Sequence, residues 1–516
     1  MKNDTSTVTI SKAEYDSMKQ QIEWLMAQLK LSKHRQFGSS SEKSEYDQRQ
    51  FDFFNEAEAL AAKDAVEPEL IEVEKHYRKR KRSATDRLPD DLPVEVVEHK
   101  LPKNEQDCPK CNHKLHVMGR NIRRELVIIP ATAKIREHIE YVYACRCCEG
   151  NADSVPIVKA PMPEPVIKGS FASPEAIAHI MTQKFVMGSP LYRQEAEWKR
   201  TGIMLTRQTM SNWLIRATED WLAPIYERLR AELLKQNVLH ADETTLQVLK
   251  EPGKTAQSKS YMWLYRTSGD AENPIVLYDY KPGRHAKYPE KFLEGFTGYL
   301  HTDGYDAYHK LPENITVVGC WAHVRRKFDE ALKILPEKDR ADSAAKYGKQ
   351  YCSQLFELER EFAELPPDKR FEKRQELSKP VLDEFFAWAE SLTVLPKSPV
   401  GAAVQYALSQ RKYLERYLKD GRLEISNNRA ERSIKPFVID RKNFLFANTP
   451  RGATASAIMF SIIETAKENG LNPFEYLTYI FKTAPNLTAA DLVSAESLLP
   501  WNVTLPEYGQ SQKKAG

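Results

Sequence analysis

From residue 237 the chain reads NVLHADETTLQVL, then YMWLYRT at 261–267 and PIVLYDY at 274–280, three strand-like runs separated by turns. A small polar helix is expected at 284–293, a strand at GYLHTD (298–303) and a fifth strand at ITVVGC (315–320). Three strands in a row, followed by alternation with helices, imply a mixed sheet with helices on its faces. In such a sheet ligands gather where parallel strands end, and the pattern is expected to deliver Asp242 and Asp303 to strand ends. Downstream, EISNNRAERSIKP (424–436) sets Glu431 in a polar helix start. Acids brought together from separate elements are what a pocket for divalent metal needs.

Two glutamates compete for the third position. Glu431 shares a helix face with Asn427 and Asn428 by i+4 and i+3 spacing and lies beside Arg432 and Lys435, whereas Glu424 precedes the helix in a loop. Glu431 is the preferred ligand and Glu424 the alternative. Glu243 is expected to point to the opposite strand face from Asp242, as a surface or supporting residue.

WAHVRRKFDEALKIL continues as a helix with Val324, Phe328 and Ala331 on one face and Arg325, Arg326 and Lys327 on another. Cys320 and His323 at its start read, on residue type alone, as a buried structural corner. Residues 337–421 contain no strand-like run and read as a helical insertion. SNNRAERSI then forms a helix capped by Ser426 and stopped near Pro436. One further helix is expected at about 453–468, ended by Gly470, and another from about 473, with the last ten residues disordered.

At 516 residues the chain is too long for one core, so upstream modules are expected. Tyr15, Met18, Ile22, Leu25 and Leu29 recur at helical steps. They form either a weak zipper for self-association or a lone helix packing on its own chain. KHYRKRKR (75–82) carries six Lys and Arg in eight positions. It suits a flexible arm on phosphates or a solvated linker. Cys108-Pro-Lys-Cys111 and Cys145-Arg-Cys147-Cys148 have the spacing of a zinc site. Cys108, Cys111, Cys145 and Cys148 are the expected ligands, with a pair made through Cys147, or buried reduced cysteines, as alternatives. Four thiolates leave no open position, so this metal would be structural.

Helices at 173–185, 190–200 and 206–221, the last two joined by TGIML, fit a helix-turn-helix. Met210, Trp213 and Leu214 would face inward, and Arg207, Gln208, Ser211 and Asn212 would reach DNA; an ordinary helical linker is the alternative. A net charge of +4, no basic leader with an apolar stretch and no run of eighteen apolar residues make a cytosolic enzyme the default expectation.

The motifs in their order resemble the large transposase of the insertion sequence sixty-six family over nearly the whole length. They are RQFG (35–38), the two cysteine pairs, PLYRQE, TRQTMSNW, HADET, HTDGYDAY, CWAHVRRKF, SNNRAERSIKP, RKNFLF and IIETAKENGLNPFEYL. The resemblance implies a multidomain chain with a ribonuclease H-like α/β catalytic core and a long helical insertion, preceded by a coiled-coil helix, a small zinc-binding domain and a helix-turn-helix region. The expected bounds are 11–34 for the zipper-like helix, 35–94 for the linker, 95–160 for the zinc domain and 168–222 for the helix-turn-helix. The core then takes 235–336 and 422–482 around an insertion at 337–421, and the tail is 483–516.

The resemblance further implies a triad at Asp242, Asp303 and Glu431, holding Mg²⁺ or Mn²⁺, for cleavage at mobile-element ends and strand transfer. The 61 residues from Asp242 to Asp303 and the 128 from Asp303 to Glu431 place the insertion in the second interval. Related transposases carry a C-x2-H element after the second aspartate, which gives Cys320 and His323 a supporting role, shared with Asn427 and Asn428. Arg325, Arg326, Lys435, Arg441 and Lys442 are candidate phosphate contacts. Element-end and target DNA, a second copy and accessory proteins of the element are the implied partners, in the bacterial cytoplasm. A ribonuclease H-like nuclease without strand transfer and a noncatalytic DNA-binding protein are the competing classes; intact acids at all three positions disfavour the latter.

Overall fold

The computed structural model describes residues 133–144 and 157–505. The expected zipper helix, the basic run at 75–82, Cys108, Cys111, Cys145, Cys147 and Cys148, and the last ten residues lie outside the described residues. The chain divides into two compact units, one of them residues 43–160. In that unit the described residues form a small antiparallel ladder, β1 (Val142–Ala144) on β2 (Ile157–Lys159).

The larger unit begins, among its described residues, with α1 (Pro174–Phe185), α2 (Leu191–Arg200) and α3 (Arg207–Ala217). Ser173 caps α1 by accepting from the Ala176 amide at 3.0 Å, with Pro174 at the first position, where no amide is needed. Met210, Trp213 and Leu214 are buried. Instead of ending near 221, α3 continues through a π-turn (Thr218–Leu222) into α4 (Ala223–Leu233). The wider turn accommodates Pro224, which has no amide to give and would otherwise clash with the preceding turn.

The sheet follows: β3 (Val238–Gln247), β4 (Lys259–Thr267), β5 (Val276–Lys281), then α5 (Lys287–Phe292), β6 (Gly298–His301) and β7 (Ile315–Val318). Its order is β5-β4-β3-β6-β7. β3 pairs antiparallel with β4 and β4 with β5, whereas β6 and β7 add parallel on the other side of β3. Both edges are covered, which prevents pairing with another chain. On the β5 edge the amides of Val276 and Tyr278 donate to Thr465 Oγ1 and Ser461 Oγ at 3.0 and 2.7 Å. On the β7 edge Arg416 donates to the Val317 carbonyl at 2.7 Å, and the Gly319 amide, just beyond the strand, to that of Tyr413 at 3.0 Å.

After β7 come α6 (Trp321–Ile334) and four helices of the insertion: α7 (Ala344–Glu361), α8 (Pro367–Lys373), α9 (Lys379–Ser391) and α10 (Pro399–Leu414). Trp321 and Phe328 of α6 meet Phe385 edge-on, so the insertion has its own apolar core continuous with α6. Within it Arg374 is fully buried and satisfied: Glu359 takes two of its N–H groups, and the carbonyls of Tyr417, Asp420 and Leu423 take the others. That guanidinium fixes the segment leading back to Glu424.

The chain then forms α11 (Asn428–Phe444), α12 (Pro450–Glu468), α13 (Pro473–Thr483) and α14 (Ala489–Ser494). Two expectations are corrected here. Asn427, not Ser426, precedes α11, and the helix runs through Pro436 to Phe444. The bond that Pro436 forfeits would go to Arg432, an exposed residue whose carbonyl water can serve, while Ile434 and Phe437 anchor the buried side.

Candidate active site

β3 and β6 run in parallel with His240 opposite His301. Two residues further along each chain stand Asp242 and Asp303, so the same register carried onward sets the two carboxylates side by side. Asp242 is not at a strand end as expected. β3 continues to Gln247 because β4 pairs with it on the other side, Gln247 opposite Lys259. What ends beside Asp242 is β6, and this opens a gap in the sheet.

Each aspartate is pinned through one oxygen. Asp242 Oδ1 accepts from the Glu243 amide at 2.8 Å and Asp303 Oδ1 from the Tyr305 amide at 3.0 Å, local turns that hold the carboxylates in place. Gly304 follows Asp303 where a side chain would meet the hydroxyl of Tyr406 at 2.7 Å. Glu431 comes from the first turn of α11, and all three acids line one cleft of about 280 Å³ with His323, Arg326, Asn427 and Lys435. Burial, then the neighbouring Glu243, Asp303 and Glu431, push the Asp242 carboxyl well above its ordinary value. Negative charge is crowded here, and a cation would relieve it.

Glu431 is held at the cleft wall. Arg326 Nη2 lies 3.2 Å from its Oε2 and His323 Nε2 3.7 Å from its Oε1, and that Oε1 is buried with no hydrogen-bond partner. Cys320 is buried, its thiol pushed up to about 12 by burial, and its sulfur accepts from the Asn427 amide at 3.2 Å. The Cys320 sulfur, a His323 nitrogen and a Glu431 oxygen lie within 4.8 Å of one another, a second set able to hold an ion. A C-x2-H spacing alone does not reveal that the glutamate joins it.

Asn427 joins the elements. Its side chain donates to the Ala241 carbonyl at 2.8 Å and meets His240 Nδ1 at 3.0 Å, and its carbonyl accepts from the Glu431 amide at 3.2 Å. It therefore ties β3, α6 and α11 at one point, and its side chain makes no helix cap.

Glu424 lies elsewhere. Its carboxylate binds Arg429 Nε at 2.6 Å and its amide donates to His301 Nε2 at 3.2 Å, and it does not line the cleft. Glu243 is no surface residue: its side chain is 1 % exposed, with one oxygen on Arg284 at 2.7 Å and the other on Tyr308 at 2.5 Å. Strand alternation does not reveal that a half-buried arginine and a buried tyrosine await it.

Of the phosphate candidates, Lys435 is exposed at the cleft and Lys442 is exposed further along α11. Arg326 is engaged by Glu431, Arg441 Nη1 ties α11 to Thr244 and Thr245 of β3, and Arg325 lies over the Phe356 ring, outside the cleft lining. Asn428 opens α11 half-buried. On α3, Arg207, Gln208 and Asn212 are exposed and Ser211 is half-buried.

A family model described as Transposase IS66 family matches residues 169–455, and one described as the IS66 C-terminal element matches 461–501. Upstream, residues 105–149 match the zinc-finger binding domain of transposase IS66 and residues 24–97 the model described as Transposase C of IS166 homeodomain. Among similar proteins, the uncharacterized protein y4qI of Sinorhizobium fredii (strain NBRC 101917 / NGR234) is 30 % identical over 513 residues, 95 % of this chain and 91 % of the relative. A second from the same strain, y4jD, is 30 % identical over 440 residues, 82 % of this chain and 83 % of the relative.

Proposed function

The chain belongs to the IS66 family of transposases, enzymes that cut DNA at mobile-element ends and transfer the strands, and from that premise we propose that Asp242, Asp303 and Glu431 carry its phosphodiester chemistry. The observation that supports this reading most is the register that sets Asp242 and Asp303 side by side, with Glu431 in the same cleft. The sheet, three antiparallel strands extended by two parallel ones, is consistent with a ribonuclease H-like core.

The residues fit a hard divalent cation, Mg²⁺ or Mn²⁺. Both aspartates keep one oxygen off their local backbone bond, Glu431 has a buried oxygen without a partner, and Asp242 is pushed up by burial and then by its acidic neighbours. Bound there, such ions activate the attacking oxygen and stabilise charge on the leaving one. The protein's own part is placement: backbone amides aim the aspartates, His323 and Arg326 hold Glu431, and Lys435 offers charge to the phosphate. Water attacks at the element end and frees a 3′ hydroxyl. That hydroxyl then attacks target DNA, and one phosphodiester replaces another without ATP.

The family's zinc-finger domain supplies a structural zinc site, for which we assign Cys108, Cys111, Cys145 and Cys148. We read α2, the turn after it and α3 as the helix-turn-helix, with Arg207, Gln208, Ser211 and Asn212 toward DNA. Arg207→Ala with Gln208→Ala is expected to weaken binding to element ends more than to random duplex; equal losses in a titration at fixed salt would reduce these residues to phosphate contacts.

The decisive experiment for the whole reading is joining of labelled element ends to target DNA by purified protein with Mg²⁺ or Mn²⁺. Cleavage without joining would leave a nuclease, and neither would leave a binding protein.

A further inference from the structure

One face of α11 carries Glu431, Lys435, Val438 and Lys442 at steps of three and four, and Leu445 follows where the helix ends. Its first part lines the carboxylate cleft together with Asp242, Glu243 and Thr244 of β3. Its last part, Arg441 and Leu445, lines a second hollow against Thr245, Leu246 and Gln247, the next residues of that strand. The two hollows follow one another along α11 and β3. At 1.5 Å per residue, Leu445 stands about 20 Å along the helix from Glu431.

Leu445 is strained and exposed at once. Its φ of 64° and ψ of −49°, with the Phe446 amide donating to the Phe444 carbonyl at 2.8 Å, make the rare γ-turn that side chains disfavour. Anchors on both flanks enforce it. The Leu445 amide donates to Arg441 at 2.7 Å, the Ala447 amide to Gln247 at 3.0 Å, and the Leu249 amide to Ala447 at 3.0 Å. Yet the side chain so placed is 64 % exposed, and that of Phe446 is 43 % exposed. Burial gains too little there to offset the strain, so the reason for the turn lies in what it presents. Exposed Lys259, which lines the hollow, and Lys442 give its surroundings the charge that complements a phosphate backbone.

We propose that Leu445 and Phe446 form an apolar wedge that supports an unpaired base of the DNA strand leaving the carboxylate cleft, with Lys435 and Lys259 on the phosphates between. Apolar side chains beside cations are what unstack bases and hold them out of the helix. The proposal rests on the cleft being the cleavage site.

The test uses the full chain and a duplex of the element's terminal sequence carrying 2-aminopurine at successive positions around the cut. Binding is expected to raise fluorescence at one or two adjacent positions. Leu445→Gly should abolish that rise and slow cleavage roughly tenfold, about the worth of one base contact, while its Tm holds or increases because glycine accepts the positive φ. A turn with a merely structural role predicts the opposite: parental or better activity with unchanged fluorescence, and that result overturns the wedge. So does a wild-type protein that cuts the duplex without a rise at any position. Asp242→Asn should keep the fluorescence rise and lose cleavage; an Asp242→Asn protein that still cuts refutes the cleft and with it a wedge placed beside it, whereas an inactive Asp242→Asn with a parental Leu445→Gly overturns the wedge alone.

Discussion

Asn427 stands between two clusters at the junction of β3 and β6, and the same segment, 424–431, supplies a glutamate to each. In front, Glu431 joins Asp242 and Asp303 in an open cleft where Asp242 is pushed up. Behind, Glu424 is neutralised by Arg429, beside His240 and His301 stacked 4.5 Å apart, fully buried and kept uncharged, His240 down to about 3. The difference lies in partners. Charge behind Asn427 is matched within the protein, as a buried scaffold requires, while charge in front is left in excess, as a cation site requires.

The comparison breaks first, and most visibly, in catalysis. Asp242→Asn, Asp303→Asn and Glu431→Gln are each expected to lower metal-dependent cleavage by about a thousandfold or more, at or beyond the loss of one key electrostatic group in an active site, with DNA binding intact. Glu424→Gln is expected to stay within about threefold of the parent, since Glu424 does not line the cleft and its half-buried ion pair with Arg429 is replaced by a neutral hydrogen bond, a change on the order of 1 kcal/mol. A dead Glu424→Gln beside a parental Glu431→Gln would exchange the two clusters' roles.

Next comes the residue between them. Asn427→Ala removes the bond to Ala241 and the contact with His240, so both aspartate and glutamate lose their common brace. Activity and Mn²⁺ affinity should fall roughly 10–100-fold, as for groups that orient metal ligands, measured by cleavage rate against Mn²⁺ concentration. A loss of stability with unchanged Mn²⁺ dependence would leave Asn427 a packing residue.

The smallest effect is a pair of opposite pH dependences in thermal melts. Asp242 is raised in the folded state, so without metal its contribution is fully present below its ordinary value near 3.8 and is lost as pH rises through the folded value. His240 and His301 are depressed, so their contribution is present above about 6.5 and is lost as pH falls through their folded values, about 3 for His240. Asp242→Asn should flatten the first trend and His240→Asn the second, each shifting Tm by a few degrees, roughly 2–4 °C per kcal/mol. Mn²⁺ should raise Tm at neutral pH in the parent and not in Asp242→Asn.

Much of this was legible from local pattern. Short apolar runs bounded by turns located five strands, and helical spacing located α1, α2, α6 and the insertion, because a strand covered on both faces reads as a continuous apolar run while a helix that buries one face repeats its apolar residues at its own period. The helix end at Pro436 misled, since proline's rule concerns the lost bond and not whether water can replace its partner.

What the sequence by itself determined is the inventory: two aspartates in strand-rich segments, a glutamate at a helix start, and an all-helical stretch in the long interval between. Only the tertiary structure decided which glutamate faces the aspartates, that Glu243 is sealed by Arg284 and Tyr308, that Cys320 and His323 meet Glu431, and that Leu445 is held outward. Each depends on contacts between residues more than forty positions apart, apart from the turn at Leu445, whose anchors on β3 are also remote. Spacing along a chain sets the face a residue occupies within its own element; which charge waits opposite that face is set by how the elements pack.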